Sequence, residues 1–305
     1  MIISASRRTD IPAFFSDWFF NRISAGYVLV RNPMNFHQVS KISLSKKNVD
    51  AIVFWTKNPR PMMDRLSLLD GYHYYFQFTV TPYGKDLEPH VPDKSEVIKT
   101  FLDLSEMLSP EQTVWRYDPI LFSEKYNYEY HIEKFESLAE IFSGSTEKCV
   151  ISFIDMYKNT IRNLGVMKIR EAEISEKNEL ALEFRKISSK NNISLQACCC
   201  ENLSRIPHAS CIDKSLIEKL CGRTINAGRD KSQRKLCGCV QSADIGAYNT
   251  CMHGCLYCYA NYNSGVISKN ISNHSPMSDL ITGRLSDDDK IHERADKTVR
   301  YGRLF

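Results

Sequence analysis

The chain has 305 residues, 43% hydrophobic and 25% charged, and its 40 Lys+Arg against 36 Asp+Glu leave a net charge of only +4. With the basic residues scattered, this balance indicates neither a nucleic-acid partner nor an anionic membrane, and no run of about 18 apolar residues is present to cross a bilayer. The start, Met1-Ile2-Ile3-Ser4-Ala5-Ser6-Arg7-Arg8, lacks the apolar core of a signal peptide. The expected location is therefore cytoplasmic, where eleven cysteines are expected to bind metal or do redox chemistry rather than pair as disulfides.

In chain order, the first two-thirds alternates short β-branched or aromatic runs with segments of helical period. Strands are predicted at Ile2–Ser6, Ala51–Thr56, Tyr74–Thr81, Thr113–Tyr117, Cys149–Ile154 and Ile193–Ala197. Their apolar residues are continuous rather than alternating, as expected of strands buried on both faces of a parallel sheet. Helices are predicted at Pro12–Ser24, Pro61–Leu69, Lys94–Leu108, Tyr128–Phe142 and Glu176–Lys190, and Tyr27–Leu44 reads as a hairpin or flap around Asn32-Pro33. About six β/α units at this spacing imply an α/β fold with right-handed crossovers. We read a complete or partial parallel β/α barrel over residues 1–197, with a flat doubly wound sheet as the alternative. Residues 198–262 read as a cysteine-rich module on the barrel mouth. Residues 263–305 form a polar extension whose Asp287-Asp288-Asp289 run is expected to be a solvated turn.

The six strand ends carry polar clusters that a barrel gathers on its C-terminal face, where such enzymes place their chemistry. They supply Arg7 and Arg8, Lys57 and Asn58, Arg116 and Asp118, and Asp155 with Tyr157 and Lys158. Arg7 and Arg8 suit a carboxylate or phosphate. Arg116 and Asp118 read better as a structural pair, Asn58 before Pro59 suits a loop role, and no spacing among them identifies a catalytic dyad. The catalytic residues are unknown at this level. There is no Gly-Lys phosphate loop, no Gly-x-Gly-x-x-Gly and no Gly-x-Ser-x-Gly elbow.

Ten of the eleven cysteines fall between Cys198 and Cys258. Cys251, Cys255 and Cys258 are separated by three residues and then two, a spacing that wraps three thiolates around one corner of a 4Fe-4S cluster and leaves one iron open. Zinc is the competing reading, with His253 available as a further ligand. A possible second metal site, zinc or a closed cluster, draws on Cys211, Cys237, Cys239 and one of Cys198, Cys199 and Cys200. Cys149 and Cys221 read as buried thiols that pack like small hydrophobes.

The Cys251-x3-Cys255-x2-Cys258 pattern, with Tyr257 before the last cysteine, resembles the signature of the radical S-adenosylmethionine (SAM) enzymes, and Cys255-Leu256-Tyr257-Cys258-Tyr259-Ala260 resembles the cluster loop of spore photoproduct lyase. Across nearly its whole length the chain is similar to the family called domain of unknown function 1848. That similarity rests on Ser6–Pro12, Phe54–Pro59, Trp115–Pro119 and Cys237 through Asn261. The resemblance implies SAM bound at the open iron, a 5′-deoxyadenosyl radical, an unknown substrate and an external electron donor. Arg7, Arg8, Lys57, Asn58, Arg116, Asp118 and Asp155 are the candidates to hold SAM or substrate. The same resemblance places a cluster loop after the first strand. Here Ser6–Asp10 stands there and the cysteine loop comes after the sixth predicted strand, so either the barrel is circularly permuted or the cluster has another role. A metal protein for electron transfer, redox sensing or structure is the alternative function, and a nucleic-acid lesion repair lyase is a second.

Overall fold

The computed structural model describes residues 1–305 except 157, 166, 201, 202, 204, 295–298, 304 and 305. Its strands are β1 (Ile2–Ala5), β2 (Tyr27–Asn32), β3 (Asn35–Ser43), β4 (Ala51–Thr56), β5 (Tyr74–Thr79), β6 (Thr113–Ile120), β7 (Lys148–Phe153), β8 (Ser194–Ala197), β9 (Arg223–Asn226), β10 (Ala243–Asp244), β11 (Lys290–Glu293) and β12 (Val299–Arg303). The helices are α1 (Ile11–Phe14), α2 (Ser16–Ala25), α3 (Arg60–Met63), α4 (Lys94–Met107), α5 (Tyr128–Phe142), α6 (Lys158–Leu164), α7 (Ile174–Lys190), α8 (Lys214–Cys221) and α9 (Ser264–Ser272).

Seven strands form one sheet in the order β10-β1-β4-β5-β6-β7-β8, and every pairing is parallel. The six strands predicted from sequence are consecutive neighbours in it, an order that fits a partial β/α barrel. The helices form because their apolar residues recur at helical spacing. In α5, His131, Phe135, Leu138 and Phe142 face inward, and the Asn127 side chain caps the Tyr130 N–H at 2.9 Å. Phe135 then stacks on Phe184 of α7 with centroids 3.8 Å apart. The predicted helix over Pro12–Ser24 divides at Phe15, whose φ of −133° leaves the helical region, into α1, capped by Asp10 through the Ala13 N–H (3.0 Å), and α2.

The two faces of the sheet are covered differently. Ile3, Phe54, Phe76, Trp115, Tyr117 and Ile151 pack on the helices. Ile2, Ala51, Val53, Tyr75, Val114 and Val150 pack instead on Ala209, Cys211, Ile212, Ile217, Ile225 and Val240. The cysteine-bearing segment therefore lies across the inner face of the sheet. Tyr75 Oη and Gln77 Nε2 both donate to the Cys211 carbonyl, at 2.8 and 3.0 Å.

Strand β10 lies within residues 198–262 yet extends the main sheet beside β1, with Ile3 opposite Ala243 and Ser4 opposite Asp244. Two residues of ladder hold a strand weakly, and the Asp244 carboxylate supplies the rest. It accepts from Ser4 Oγ (2.7 Å), Ser6 Oγ (2.7 Å), the Arg7 N–H (2.9 Å) and the Gly246 N–H (3.1 Å). Only glycine fits at 246, where a Cβ would stand 2.1 Å from Ser6 Oγ. The polar extension packs back on the start of the chain, with Trp18 Nε1 donating to the Ser278 carbonyl (2.8 Å) and β11 pairing with β3. The expectation of a solvated turn at Asp287–Asp289 is corrected at one residue. The Asp289 side chain is only 1% exposed and takes two hydrogen bonds from Arg31 (2.5 and 2.8 Å).

Asp244→Ala leaves three donors of β1 and the turn after it unpaired. It is expected to lower stability by about 3 kcal/mol, read as a lower urea midpoint at an unchanged m-value.

Candidate metal and cofactor site

A cavity of about 400 Å³ opens at the C-terminal ends of the sheet strands, and Cys251, Cys255 and Cys258 line it. The loop carrying them is closed at its base by the Asn249 N–H donating to the Ala260 carbonyl (2.9 Å) and Asn261 Nδ2 donating to the Cys251 carbonyl (2.8 Å). Its far side is tied to residues 87–90 through the Leu256 N–H to the Leu87 carbonyl (3.0 Å) and the His90 N–H to the His253 carbonyl (3.1 Å). Tyr259 Oη donates to the Arg7 carbonyl (2.7 Å), joining the loop to the end of β1.

Two buried polar centres position the loop from within. Asp10 accepts the Lys57 N–H (2.7 Å) and sits 2.8 Å from His253 Nε2, so the His253 ring is oriented by an acid at the start of α1. Glu88, 1% exposed, gathers Lys57 Nζ (2.8 Å), Thr81 Oγ1 (2.6 Å), Lys94 and Tyr257 Oη on its two oxygens. Burial pushes the Glu88 carboxyl up, but the two ammonium groups outweigh it and hold it at about 2. The thiols respond to the same surroundings. Burial raises Cys251 and Cys258, and it raises Cys255 to about 12 even though Lys57 pulls that group down.

The other thiols meet the same cavity. Cys198, Cys199, Cys211, Cys237 and Cys239 all line it. Cys198 Sγ stands 3.7 Å from Cys199 Sγ and 3.6 Å from Cys211 Sγ, and Cys199 in turn meets Cys237, which meets Cys239. Cys200 turns away toward the Cys198 carbonyl (3.3 Å). None of the eleven cysteines forms a disulfide. Among the described residues no three His, Cys, Asp or Glu side chains stand ready around a single ion. Four sulfurs around one ion stand about 3.8 Å apart, given metal–sulfur bonds of about 2.3 Å, whereas the ligands of an iron–sulfur cluster are held farther apart by the inorganic atoms between them.

The strand-end residues divide. Arg7 lies over the Trp55 ring at 5.1 Å and Arg8 over Tyr248 at 5.2 Å, and both line the cavity. Arg116 and Asp118 pair with each other as read from the sequence, while Ser152 also bonds Asp118 and Arg116 Nη1 reaches Cys211 Sγ at 2.8 Å. Asp155 pairs with Arg234 at the cavity edge. Asn58 stands off the cavity wall: its side chain accepts the Arg60 N–H (3.3 Å) at the start of α3, which is its structural role. Tyr157 and the side chain of Lys158 lie outside the described residues. Cys149 is buried in the core, and Cys221 Sγ contacts the Asp50 carbonyl (3.0 Å).

Glu88, Asp10 and Asp244 were not singled out from the sequence. Each is an isolated acid beside a turn, and only the partners brought to it by the fold reveal its role.

Whether the site suits a further group is tested by its polar atoms. Among the described residues nine buried side-chain nitrogen or oxygen atoms lack a hydrogen-bond partner, and four of them are Arg7 Nη2, Thr9 Oγ1, His253 Nδ1 and Asn261 Oδ1. All four belong to the end of β1 or to the cysteine loop, a concentration that marks a place where a bound group supplies the partner. The three loop thiols and the donors Arg7 Nη2, Thr9 Oγ1 and His253 Nδ1, all on the cavity lining, would suit an iron–sulfur cluster, whose sulfides accept hydrogen bonds.

Because the Glu88 carboxyl titrates below the usual unfolded value of about 4.3, the stability it contributes is complete above about pH 5 and fades as pH falls toward 2. Glu88→Gln is expected to flatten that acid limb, measured as the urea midpoint against pH.

No curated protein matches the chain significantly. Residues 2–260 match the family described as Domain of unknown function (DUF1848), and the chain belongs to that family.

Proposed function

We propose that Cys251, Cys255 and Cys258, which line the cavity, would hold a 4Fe-4S cluster, and that the protein is an enzyme using SAM for radical chemistry. The observation that carries the reading is the position of β10. The cysteine loop comes directly after this strand, and β10 is the edge strand beside β1. Counted across the sheet rather than along the chain, the loop comes after the first strand, with β1, β4, β5, β6, β7 and β8 next in order. A circularly permuted partial barrel therefore accommodates the arrangement that the resemblance to the radical SAM enzymes implies.

When bound, such a cluster supplies the electron that splits the sulfonium of SAM into methionine and a 5′-deoxyadenosyl radical. The remaining work falls to the chain. Lys57, pinned by Glu88, places a positive charge beside Cys255 and favours its thiolate. Asp10 fixes the imidazole of His253, whose Nδ1 is one of the unpartnered buried atoms. The cavity wall offers both charges that an amino-acid group needs, Arg7 and Arg8 for a carboxylate and Asp118 for an ammonium. Trp55 and Tyr259 give apolar ring surface on the same wall, which suits stacking of a base and exclusion of water. At about 400 Å³ the cavity falls in the ordinary range of small-molecule sites, about 300–1,000 Å³.

Purified and reconstituted without oxygen, then reduced with dithionite in the presence of SAM, the protein is expected to form 5′-deoxyadenosine. Cys255→Ala is expected to abolish the product and to lose the iron of this loop, about four per chain. Iron without 5′-deoxyadenosine would leave an electron-transfer or sensing cluster, and zinc in its place would overturn the cluster itself.

A further inference from the structure

We propose that the second set of thiols is a separate metal centre, in which Cys211, Cys237, Cys239 and one of the adjacent Cys198-Cys199 pair bind a single zinc-type ion. This reading is independent of the cluster on the 251–258 loop.

Three features support it. The first is sulfur spacing. The 3.6 Å separation of Cys198 and Cys211 is close to the roughly 3.8 Å expected between thiolates on one tetrahedral ion. Cys237 lies near Cys199, and Cys239 near Cys237. As they stand the sulfurs form a bent string rather than a closed set, so binding has to draw the 237–239 turn inward.

The second is the backbone that delivers them. Cys199 adopts a left-handed φ of 53°, an unfavourable state for a side chain with a Cβ, held where the surroundings demand it. Residue 238 lies so close to the 209–210 segment that a Cβ would fall 2.6 Å from Ser210 Oγ and 3.1 Å from the Ala209 carbonyl. Only Gly238 lets Cys237 and Cys239 flank Cys211 from one turn. The Ile212 N–H also points at Cys239 Sγ (3.3 Å), the outer contact by which metal thiolates are commonly supported.

The third is charge. Four thiolates on a divalent ion carry a net charge of −2. Two guanidinium groups face them: Arg116, which donates to Cys211 Sγ at 2.8 Å besides pairing with Asp118, and Arg7, which lies against Cys239 and Cys211. Neutral thiols offer a buried guanidinium little, whereas thiolates balance it.

The test uses the full chain with Cys251, Cys255 and Cys258 all changed to Ala, which removes the loop cluster from the count. Grown with zinc and dialysed against a weak chelator, it is expected to retain about one zinc per chain, the stoichiometry of a single four-thiolate site. The zinc should be lost when Cys211→Ser, Cys239→Ser or the double change Cys198→Ser with Cys199→Ser is added. A folded triple variant with no bound metal, or one that takes up several irons and sulfide instead, overturns the proposal. If the triple variant does not fold, cobalt added to the unaltered chain gives the same answer. Sulfur-to-cobalt charge-transfer bands with tetrahedral d–d absorption, lost in Cys239→Ser, support the site, and their absence overturns it. The radical reading stands or falls on 5′-deoxyadenosine from the unaltered chain, so the two failures are distinguishable.

Discussion

The arrangement of the site depends on the contact between Asp244 and the end of β1. Two residues of parallel ladder, Ile3 with Ala243 and Ser4 with Asp244, bring a segment from near the end of the chain beside its first strand. Loop-closure entropy opposes joining residues some 240 positions apart, though it grows only slowly with separation. One carboxylate with four donors offsets part of that cost. The cysteine loop, next in sequence after β10, is thereby placed over the mouth of the sheet. Together with the ties from Tyr259 to Arg7 and from Leu256 and His253 to residues 87–90, this contact fixes where Cys251, Cys255 and Cys258 stand relative to Arg7, Lys57 and Asp118.

The inner face of the sheet explains why the cavity sits at one end. Toward the start of the strands this face carries Ile2, Ala51, Val53, Tyr75, Val114 and Val150, which pack on the segment from Ala209 to Val240. Toward the strand ends it carries Ser6, Lys57, Thr79, Arg116, Asp118 and Ser152, all of which line the cavity. The apolar half recruits the cysteine-bearing segment by burial, and the polar half stays open because those side chains keep space and hydrogen-bonding partners around them. A sheet of seven parallel strands whose edges β10 and β8 do not pair leaves room for this filling.

Much of this was legible in the sequence where the signal was local. The six strands were visible because runs such as Ala51–Thr56 and Tyr74–Thr79 are continuous and β-branched or aromatic, and α5 was visible because its apolar residues repeat at helical period. The cysteine loop stood out by its spacing, and Arg116 with Asp118 read as a structural pair, which the fold shows. β10 was not visible, because two residues have no periodicity and its stability resides in a side chain. For the same reason Asp289 looked solvated: its partner Arg31 is 258 positions away. The arrangement of Cys198, Cys199 and Cys200 was also hidden, since it turns on a left-handed backbone at Cys199 that residue order alone does not reveal.

The charges buried beside the two thiol sets obey one logic. Near the loop, Glu88 is the single carboxylate shared by Lys57 and Lys94, which leaves a surplus positive charge next to Cys255. Across the cavity Asp118 pairs with Arg116, while Arg7 faces Cys239 and Cys211 with Asp244 the carboxylate near it. Asp10 meets Lys57 at its backbone N–H rather than at its ammonium, and its other contacts go to the Ala13 N–H and to His253. Uncompensated cations are costly in a protein interior and persist where a negative partner offsets the burial. Protonated thiols cannot be that partner, and thiolates can. A thiolate buried this deeply, against the upward pull of desolvation on its proton affinity, is in turn most stable when a metal shares its charge. The same electrostatic constraint thus acts on both sets, although only one of them lies on a loop whose cysteine spacing is recognisable in the sequence.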